Sequence, residues 1–494
     1  MDQPADDTPE ERDRLYQQRL AKLQKLREAG VDPYPARFER TDLAADVVAS
    51  FDAAPGRVVR VAGRVVGGIR RMGKVTFLHL RDSSGDVQAY IRRDSVGDRA
   101  YELLDLVDVG DFLGVAGETM KTRTGEISVQ ARELHILSKS LRPLPEKWHG
   151  LQDVETRYRR RYLDLIANPE AMQVFRTRSR IVHAVRNFLV DRGFLEVETP
   201  VLQPIPGGGS ARPFETYYNA LDRTLFLRIA LELYLKRCVI GGIEKVFEIG
   251  RNFRNEGLSL KHNPEFTMLE VYEAYADYAE IMRLTEDLVA IVAMNVLGKP
   301  AITIDGREVS LAPPWPRVPL RDAIYEQTGV DYDEHPDAAS LARAAAQAGL
   351  RVQPGWSRGK LIDELLSTFV EPKITDPVFL IDYPLELSPL AKKRADRPDV
   401  VERFEAFCGG MEIANAFSEL NDPLDQRERF TEQVRLRQTG EDEAQPFDAD
   451  FLEALEHGMP PTGGMGMGID RLTMLLTGQD KIRDVILFPQ LRTL

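Results

Sequence analysis

At 494 residues the chain is too long for one hydrophobic core and predicts two to four domains. Its composition, 43% hydrophobic and 29% charged, is that of a globular enzyme, and a net charge of −13 argues against a protein that coats nucleic acid along its whole surface. No apolar run reaches the ~18 residues a membrane span needs, and the acidic start MDQPADDTPEERD lacks the basic-then-apolar order of a signal peptide, so a cytoplasmic protein with no membrane partner is expected.

Residues 1–56 read as a helical extension. In PEERDRLYQQRLAKLQKLREA (9–29), Leu15, Leu20, Leu23 and Leu26 recur at near-helical spacing among charged residues, and Gly30 then Pro33 supply the stop. An exposed, mixed-charge packing helix is expected there rather than a dedicated RNA arm. From 57 to 140, short alternating runs (RVVRVAGRVVGGIR, KVTFLHLRD, DVQAYIRR, DFLGVAGET) are separated by turns such as Ser84-Gly85 and Thr124-Gly125. About five strands at this spacing predict a small barrel, and the segment is locally basic, with 14 Lys and Arg against 11 Asp and Glu. The proline-bearing LRPLPEKWHG (141–150) opens a linker that runs to 152. The remainder, 153–494, mixes strands and helices as a large α+β domain, with a helical insertion at about 313–377 marked by LARAAAQAGL and GKLIDELLSTFV. Cys238 and Cys408 lack the CxxC spacing of a metal or redox site and are expected to be buried apolar residues.

Three stretches of the large domain carry chemistry. In EKVFEIGRNFRNEG (244–257) the alternation sets Phe247, Ile249 and Phe253 on one face and Glu248, Asn252, Arg254 and Glu256 on the other. After a loop holding His262, the returning PEFTMLEVYEAY lines up Phe266, Met268, Glu270 and Tyr272. Guanidinium, imidazole, carboxylates and an aromatic ring on one hairpin suit a nucleotide, although an ion-paired surface hairpin has the same composition. Near the C-terminus, GGMGMGIDRLTMLL places Gly464, Gly466 and Gly468 at period two, a bare strand face that a flat ligand can approach, followed by Arg471 at a helix start. In FEAFCGGMEIANAF a Gly409-Gly410 turn would pair Phe407 with Glu412 and leave Glu405 on the face of Glu412. That makes the two acids candidate metal ligands.

The strand GFLEVETPVL (193–202), the Arg-x-Glu hairpin at 254–256 with its return, and the Gly-x-Gly-x-Gly-x-Asp-Arg run at 464–471 resemble, in that order, the three motifs of class II aminoacyl-tRNA synthetases. The barrel before them resembles the OB-fold anticodon domain of the lysine, aspartate and asparagine subgroup. RNEG…HNPEFT, LRIALELYLKR and GGMEIANAFSELNDP are similar to the lysyl-tRNA synthetase family, and Ala230-Leu231-Glu232 stands where the aspartate and asparagine enzymes have Gln-Ser-Pro-Gln. Met411 departs from a position that is basic in many members.

The resemblance implies an N-terminal OB-fold barrel, a class II domain on an antiparallel sheet, and ATP-dependent ligation of L-lysine to tRNA(Lys) through a lysyl-adenylate. It implies catalytic roles for Arg254 and Arg471. ATP would meet Arg254, Glu256, His262, Phe266, Glu405, Glu412 and Arg471, with more than one Mg2+ ion per subunit on Glu405 and Glu412. Lysine would meet Gly208, Glu232, Arg254, Glu270, Tyr272, Asn415, Phe417 and Glu419. Strict alternation sets Asn415, Phe417 and Glu419 opposite Glu412, so a bulge near Ala414 is expected. Arg70, Phe77 and Gln88 would read the anticodon by stacking and hydrogen bonds, with an interior Phe77 as the alternative. A homodimer built on the Pro200 segment is implied as well. Two other readings are a lysine ligase acting on a protein, which would lack the barrel, and a non-catalytic RNA-binding paralogue, which would have lost Arg254, Arg471 or the acid pair.

Overall fold

The computed structural model describes residues 9–144, 151–209, 211–257, 259–438 and 445–492. The chain divides into two compact units, Met1–Asn168 and Pro169–Leu494. Half of the expected linker, 145–150, lies outside the described residues.

In the first unit, strands β1 (Val58–Met72), β2 (Val75–Arg81), β3 (Asp86–Arg92), β4 (Phe112–Lys121) and β5 (Ile127–Ser138) close into a barrel in the order β1-β2-β3-β5-β4. Period-two alternation fills its interior with Val59, Val61, Leu78, Leu80, Ala89, Ile91 and Val129. The helix Pro9–Glu28 buries Leu23 and Leu26, Leu26 within the barrel's own core, while Leu20 stays 39% exposed. Lys22 anchors it 2.6 Å from Asp108. It is a packed helix, as its leucine spacing predicts.

The second unit is built on an eight-stranded sheet. Its strands are β6 (Leu195–Glu196), β10 (Lys245–Phe253), β11 (Glu265–Ala274), β14 (Arg317–Pro319), β15 (Val378–Pro384), β16 (Val400–Cys408), β17 (Met411–Ser418) and β18 (Thr462–Gly468), in the order β14-β15-β16-β17-β18-β11-β10-β6. The central pairings are antiparallel, and only β6 and β14 at the edges run parallel to their neighbours. A smaller sheet contains β7 (Leu202–Gln203), β8 (Glu215–Tyr218) and β9 (Arg223–Leu227), and a hairpin joins β12 (Ala301–Ile304) to β13 (Arg307–Ser310).

One face of the large sheet carries the core. Leu269 and Val271 of β11, Met465 and Met467 of β18, Ala414 and Ala416 of β17, and Phe404 and Ala406 of β16 pack with the helices Pro169–Val190, Tyr278–Leu297 and Ile469–Thr477. The opposite face of the same four strands carries polar and aromatic side chains, Met268 and glycine.

Three expectations need correction. GFLEVETPVL is not one strand: β6 ends at Glu196, and β7 joins a different sheet. The physical reason is a partner 49 residues away, because Thr199 N and Oγ1 donate to Glu248 Oε2 at 2.9 and 2.7 Å, and Pro200 has no N–H for a ladder. The span 313–377 is not wholly helical either, since β14 pairs with β15 at the sheet edge before the helices Leu320–Thr328, Ala338–Gln347 and Arg358–Leu365 begin. Cys408 is buried as expected, but Cys238 is only partly so. No helix of the described residues is long and apolar enough to cross a membrane.

Candidate active site

A cavity of about 430 Å3 opens on the polar face of β11, β18, β17 and β16. The parity that sends Leu269 and Val271 to the core sends Phe266, Met268, Glu270 and Tyr272 to this cavity. On β18, Gly464, Gly466 and Gly468 line it while Met465 and Met467 face the core side. The glycines are filled unequally. A Cβ on Gly464 would stand 1.9 Å from Glu419 Oε1, whereas one on Gly468 would meet nothing nearer than the Arg471 side chain at 3.7 Å.

The expected bulge is present. Cys408 pairs with Met411 and Phe407 with Glu412, but Ala406 pairs with Ala414, so Ile413 is the extra residue. Ile413 and Ala414 both join the core, which puts Glu412 before them and Asn415 and Phe417 after them on the cavity side. Met411 lies in the core, so its departure from a basic residue changes packing rather than cavity charge.

Arg254, just past β10, forms part of the cavity wall, with its guanidinium 5.2 Å from the Phe266 ring centroid and near Glu256 and Glu412. Burial holds its pKa below the ordinary arginine value, and the neighbouring carboxylates oppose that. Arg471, in the first turn of Ile469–Thr477, donates to Glu412 Oε2 and to its carbonyl, both at 2.9 Å. His262 Nδ1 lies 2.8 Å from Ser259 Oγ and its Nε2 lies 3.3 Å from Arg471 Nη2. Burial, then Arg471 and Arg254, push the His262 pKa down, so its ring is neutral at pH 7.

Glu405 accepts from Arg403 at 2.6 Å and from the Tyr383 hydroxyl at 2.8 Å. Its carboxyl is pushed up to about 7 by burial, with Glu412 adding to the rise against Arg403. Two carboxylates in one cavity, one of them held back from ionising, are a donor set that a hard divalent cation relieves. Among the described residues no three His, Cys, Asp or Glu side chains gather closely enough to hold a metal by themselves, so the remaining donors would be substrate oxygens or water.

The second acidic group is deeper. Glu270 Oε1 accepts from Leu231 N and Oε2 from the Tyr272 hydroxyl, both at 3.0 Å, and its carboxyl is pushed up to about 7 by burial and by Glu232. Glu232 and Glu419 flank the buried Lys236. Gly208, at φ +83°, lets the backbone come close to Glu232, where a Cβ would meet the Glu232 Cβ at 2.9 Å. Asn415 Oδ1 accepts from Arg403 Nε at 3.1 Å.

All the large-domain candidates thus meet in one cavity, together with residues that the sequence reading missed. Arg403 bridges Glu405 and Asn415, and Lys261 Nζ ties the loop after Arg254 to Glu371 and to the Gly410 carbonyl. Asp470 fixes the turn before Arg471 by accepting from Arg178 at 2.5 Å and Thr267 N at 2.6 Å. Only the Asp-Arg pairing at 470–471 hinted at any of these.

On the barrel, Phe77 is not interior. It lies outward of the core strand positions, tilted against Tyr90 at 5.1 Å and paired across strands with the exposed Arg70. Gln88 is buried, with Nε2 donating to Glu126 at 2.6 Å and Oε1 accepting from Ser128 at 2.8 Å. Glu126 also takes His79 at 2.7 Å, making it the hub of this patch.

The profile for tRNA synthetases class II (D, K and N) matches residues 153–492, and that for the OB-fold nucleic acid binding domain matches 56–137. A lysine–tRNA ligase of Moorella thermoacetica is 56% identical over 474 residues, covering 96% of this chain and 97% of its own length. A lysine–tRNA ligase of Pelotomaculum thermopropionicum is 54% identical over 485 residues, covering 98% and 96%. With the OB-fold barrel, the antiparallel catalytic sheet and near-complete coverage on both sides, the chain belongs to the lysine–tRNA ligase family of class II tRNA synthetases.

Proposed function

We propose that the chain ligates L-lysine to tRNA(Lys) with ATP, through a lysyl-adenylate that is then transferred to the 3'-terminal ribose. The observation that carries the reading is the cluster of three carboxylates, Glu232, Glu270 and Glu419, in the same cavity as Arg254, His262 and Arg471. Buried carboxylates without enough cations invite a dicationic amino acid, while the arginines invite a triphosphate.

In the first step a lysine carboxylate oxygen attacks the α-phosphorus and pyrophosphate leaves. Arg254 neutralises both carboxylate and α-phosphate, which lets two anions approach. Phe266 stacks under adenine with Arg471 on its other side reaching the γ-phosphate, and Glu256 and the neutral His262 accept or donate hydrogen bonds to the nucleotide. Glu405 and Glu412 would hold magnesium, which supplies charge neutralisation on the phosphates. For Arg471 to serve the γ-phosphate it must exchange its Glu412 partner, and the triphosphate offers a denser anion. Glu232 and the Gly208 backbone take the α-ammonium, Asn415 the carboxylate, and Glu270, Tyr272 and Glu419 the ε-ammonium beside Phe417. In the second step the ribose hydroxyl attacks the acyl carbon and AMP leaves. Arg70, Phe77 and Gln88 on the barrel would meet anticodon bases, with Glu126 available to any base that displaces Gln88.

Lysine-dependent ATP–pyrophosphate exchange across all amino acids, followed by charging of tRNA(Lys), tests this. Exchange with lysine alone and charging of that tRNA are expected. Exchange without charging would instead favour a ligase acting on another acceptor, and no exchange would favour the non-catalytic reading.

A further inference from the structure

Lys236 stands on the helix Glu232–Ile240, one turn after Glu232, with its side chain fully buried. Its Nζ lies 2.7 Å from Glu232 Oε1 and in ion-pair contact with Glu419, and 5.5 Å from the centroid of the Phe417 ring. Both acids line the amino-acid end of the cavity, and the bare Gly464 is what admits the Glu419 carboxylate there. The other titratable groups facing this cluster are Glu270 and Tyr272 from β11. Arg254 acts on Glu270 from the cavity wall, and the three carboxylates with the one ammonium between them leave two formal negative charges at this end.

Resting on the lysine reading above, we propose that Lys236 is a positioning and specificity-determining residue of the amino-acid pocket. Its ammonium offsets one of the three carboxylates of the pocket, leaving two for the two ammonium groups of lysine, and its contacts with Glu232 and Glu419 hold them apart so that each meets a different end of the substrate.

Burial works against a charged Lys236, yet Glu232 and Glu419 outweigh it and its pKa stands above the ordinary lysine value. Burial, with Glu232 and Glu270, holds the Glu419 carboxyl well above the ordinary carboxylate value, and Lys236 is the foremost influence opposing that rise. With a neutral residue at 236, the three carboxylates would keep only Arg254, acting on Glu270, as a nearby cation, and their proton binding would move to higher pH.

The test is lysine-dependent pyrophosphate exchange from pH 6 to 9 with Lys236→Met, which keeps length and loses charge. The KM for lysine should rise about tenfold or more at pH 7 with kcat and the KM for ATP within about twofold, and the acid limb of kcat/KM for lysine should move up by roughly one pH unit. Lys236→Arg should restore the limb to its native position. A loss that is uniform across pH, with the limb unmoved, would mean that Lys236 only packs, and would overturn the proposal. Should Lys236→Met not fold, proton release on lysine binding to the native enzyme, measured calorimetrically in two buffers at pH 7, gives the answer. Release of up to about two protons is expected, from Glu270 and Glu419, whose carboxyls are raised, and a larger release overturns the proposal. A native enzyme that binds no lysine at all refutes the lysine reading instead.

Discussion

At the scale of single residues, the carboxyls of the cavity are distinguished by what surrounds them. Glu270 is raised to about 7 by burial and by Glu232, so it is half protonated near neutrality. An ε-ammonium pairs only with the ionised form. Lysine affinity should therefore fall as pH drops below about 7 and level off above it, whereas the KM for ATP should not follow that limb. A flat lysine profile between pH 6 and 8 would count against Glu270 as a partner of the substrate cation. Glu419 is tested by charge removal at constant shape. Glu419→Gln should cost roughly 2–4 kcal/mol in kcat/KM for lysine, the range for truncating a buried charge pair, and leave the KM for ATP little changed. Equal losses for both substrates would mean that Glu419 acts through the metal acids instead.

At the scale of elements, the division between what was legible and what was not follows the range of the interaction. β11 could be read because period two fixes which of its side chains share a face, and Phe266, Met268, Glu270 and Tyr272 do share it. The bulge in β17 could be anticipated because Glu412 and Asn415 had to meet across an alternation that separates them. Lys236 and Arg403 were invisible, and Asp470 was hinted at only by its place before Arg471, since each also depends on a partner 12 to 292 residues away for which local pattern carries no signal. GFLEVETPVL misled because its alternation is that of a strand, while a side chain from β10, Glu248, takes the Thr199 donors and turns the chain out of the sheet. On the barrel, the pattern left an interior Phe77 open, which its outward position removes, and it could not foresee that Ser128 and Glu126 already hold Gln88. Phe77→Ala should then cost about 1–3 kcal/mol in tRNA recognition, the usual worth of one stacked base, with pyrophosphate exchange unaffected. Parallel loss of both activities would assign Phe77 to barrel stability, through its contact with Tyr90.

At the scale of the whole molecule, the class II unit carries apolar side chains that its own fold leaves uncovered around β6 to β9. Leu195 is 53% exposed and Leu202 48%, with Tyr217, Tyr218 and Leu221 also outward. Such a patch on the segment that also supplies Thr199 to Glu248 is suited to a two-fold partner, the same surface on a second copy. The expected outcome in light scattering at micromolar concentration is a homodimer. Leu202→Asp should shift it toward monomer and weaken lysine exchange, because Arg228 spans both regions, donating to the Thr199 carbonyl, to Glu248 and to the Arg251 carbonyl on the strand leading to Arg254. A native monomer with full activity would refute the dimer.

The extra residue in β17 has one more consequence, for the length of the chain rather than its composition. A strand has only two phases, and Ile413 is where β17 changes from one to the other. Replacing Ile413 by valine keeps the count and should be tolerated. Deleting it returns the strand to a single phase, so that either Glu412 or the Asn415–Phe417 stretch must turn into the core. A library of in-frame single-codon deletions across 411–418, scored by growth or by pyrophosphate exchange, should therefore lose all activity at 413 while a conservative substitution scan at the same codon remains largely silent.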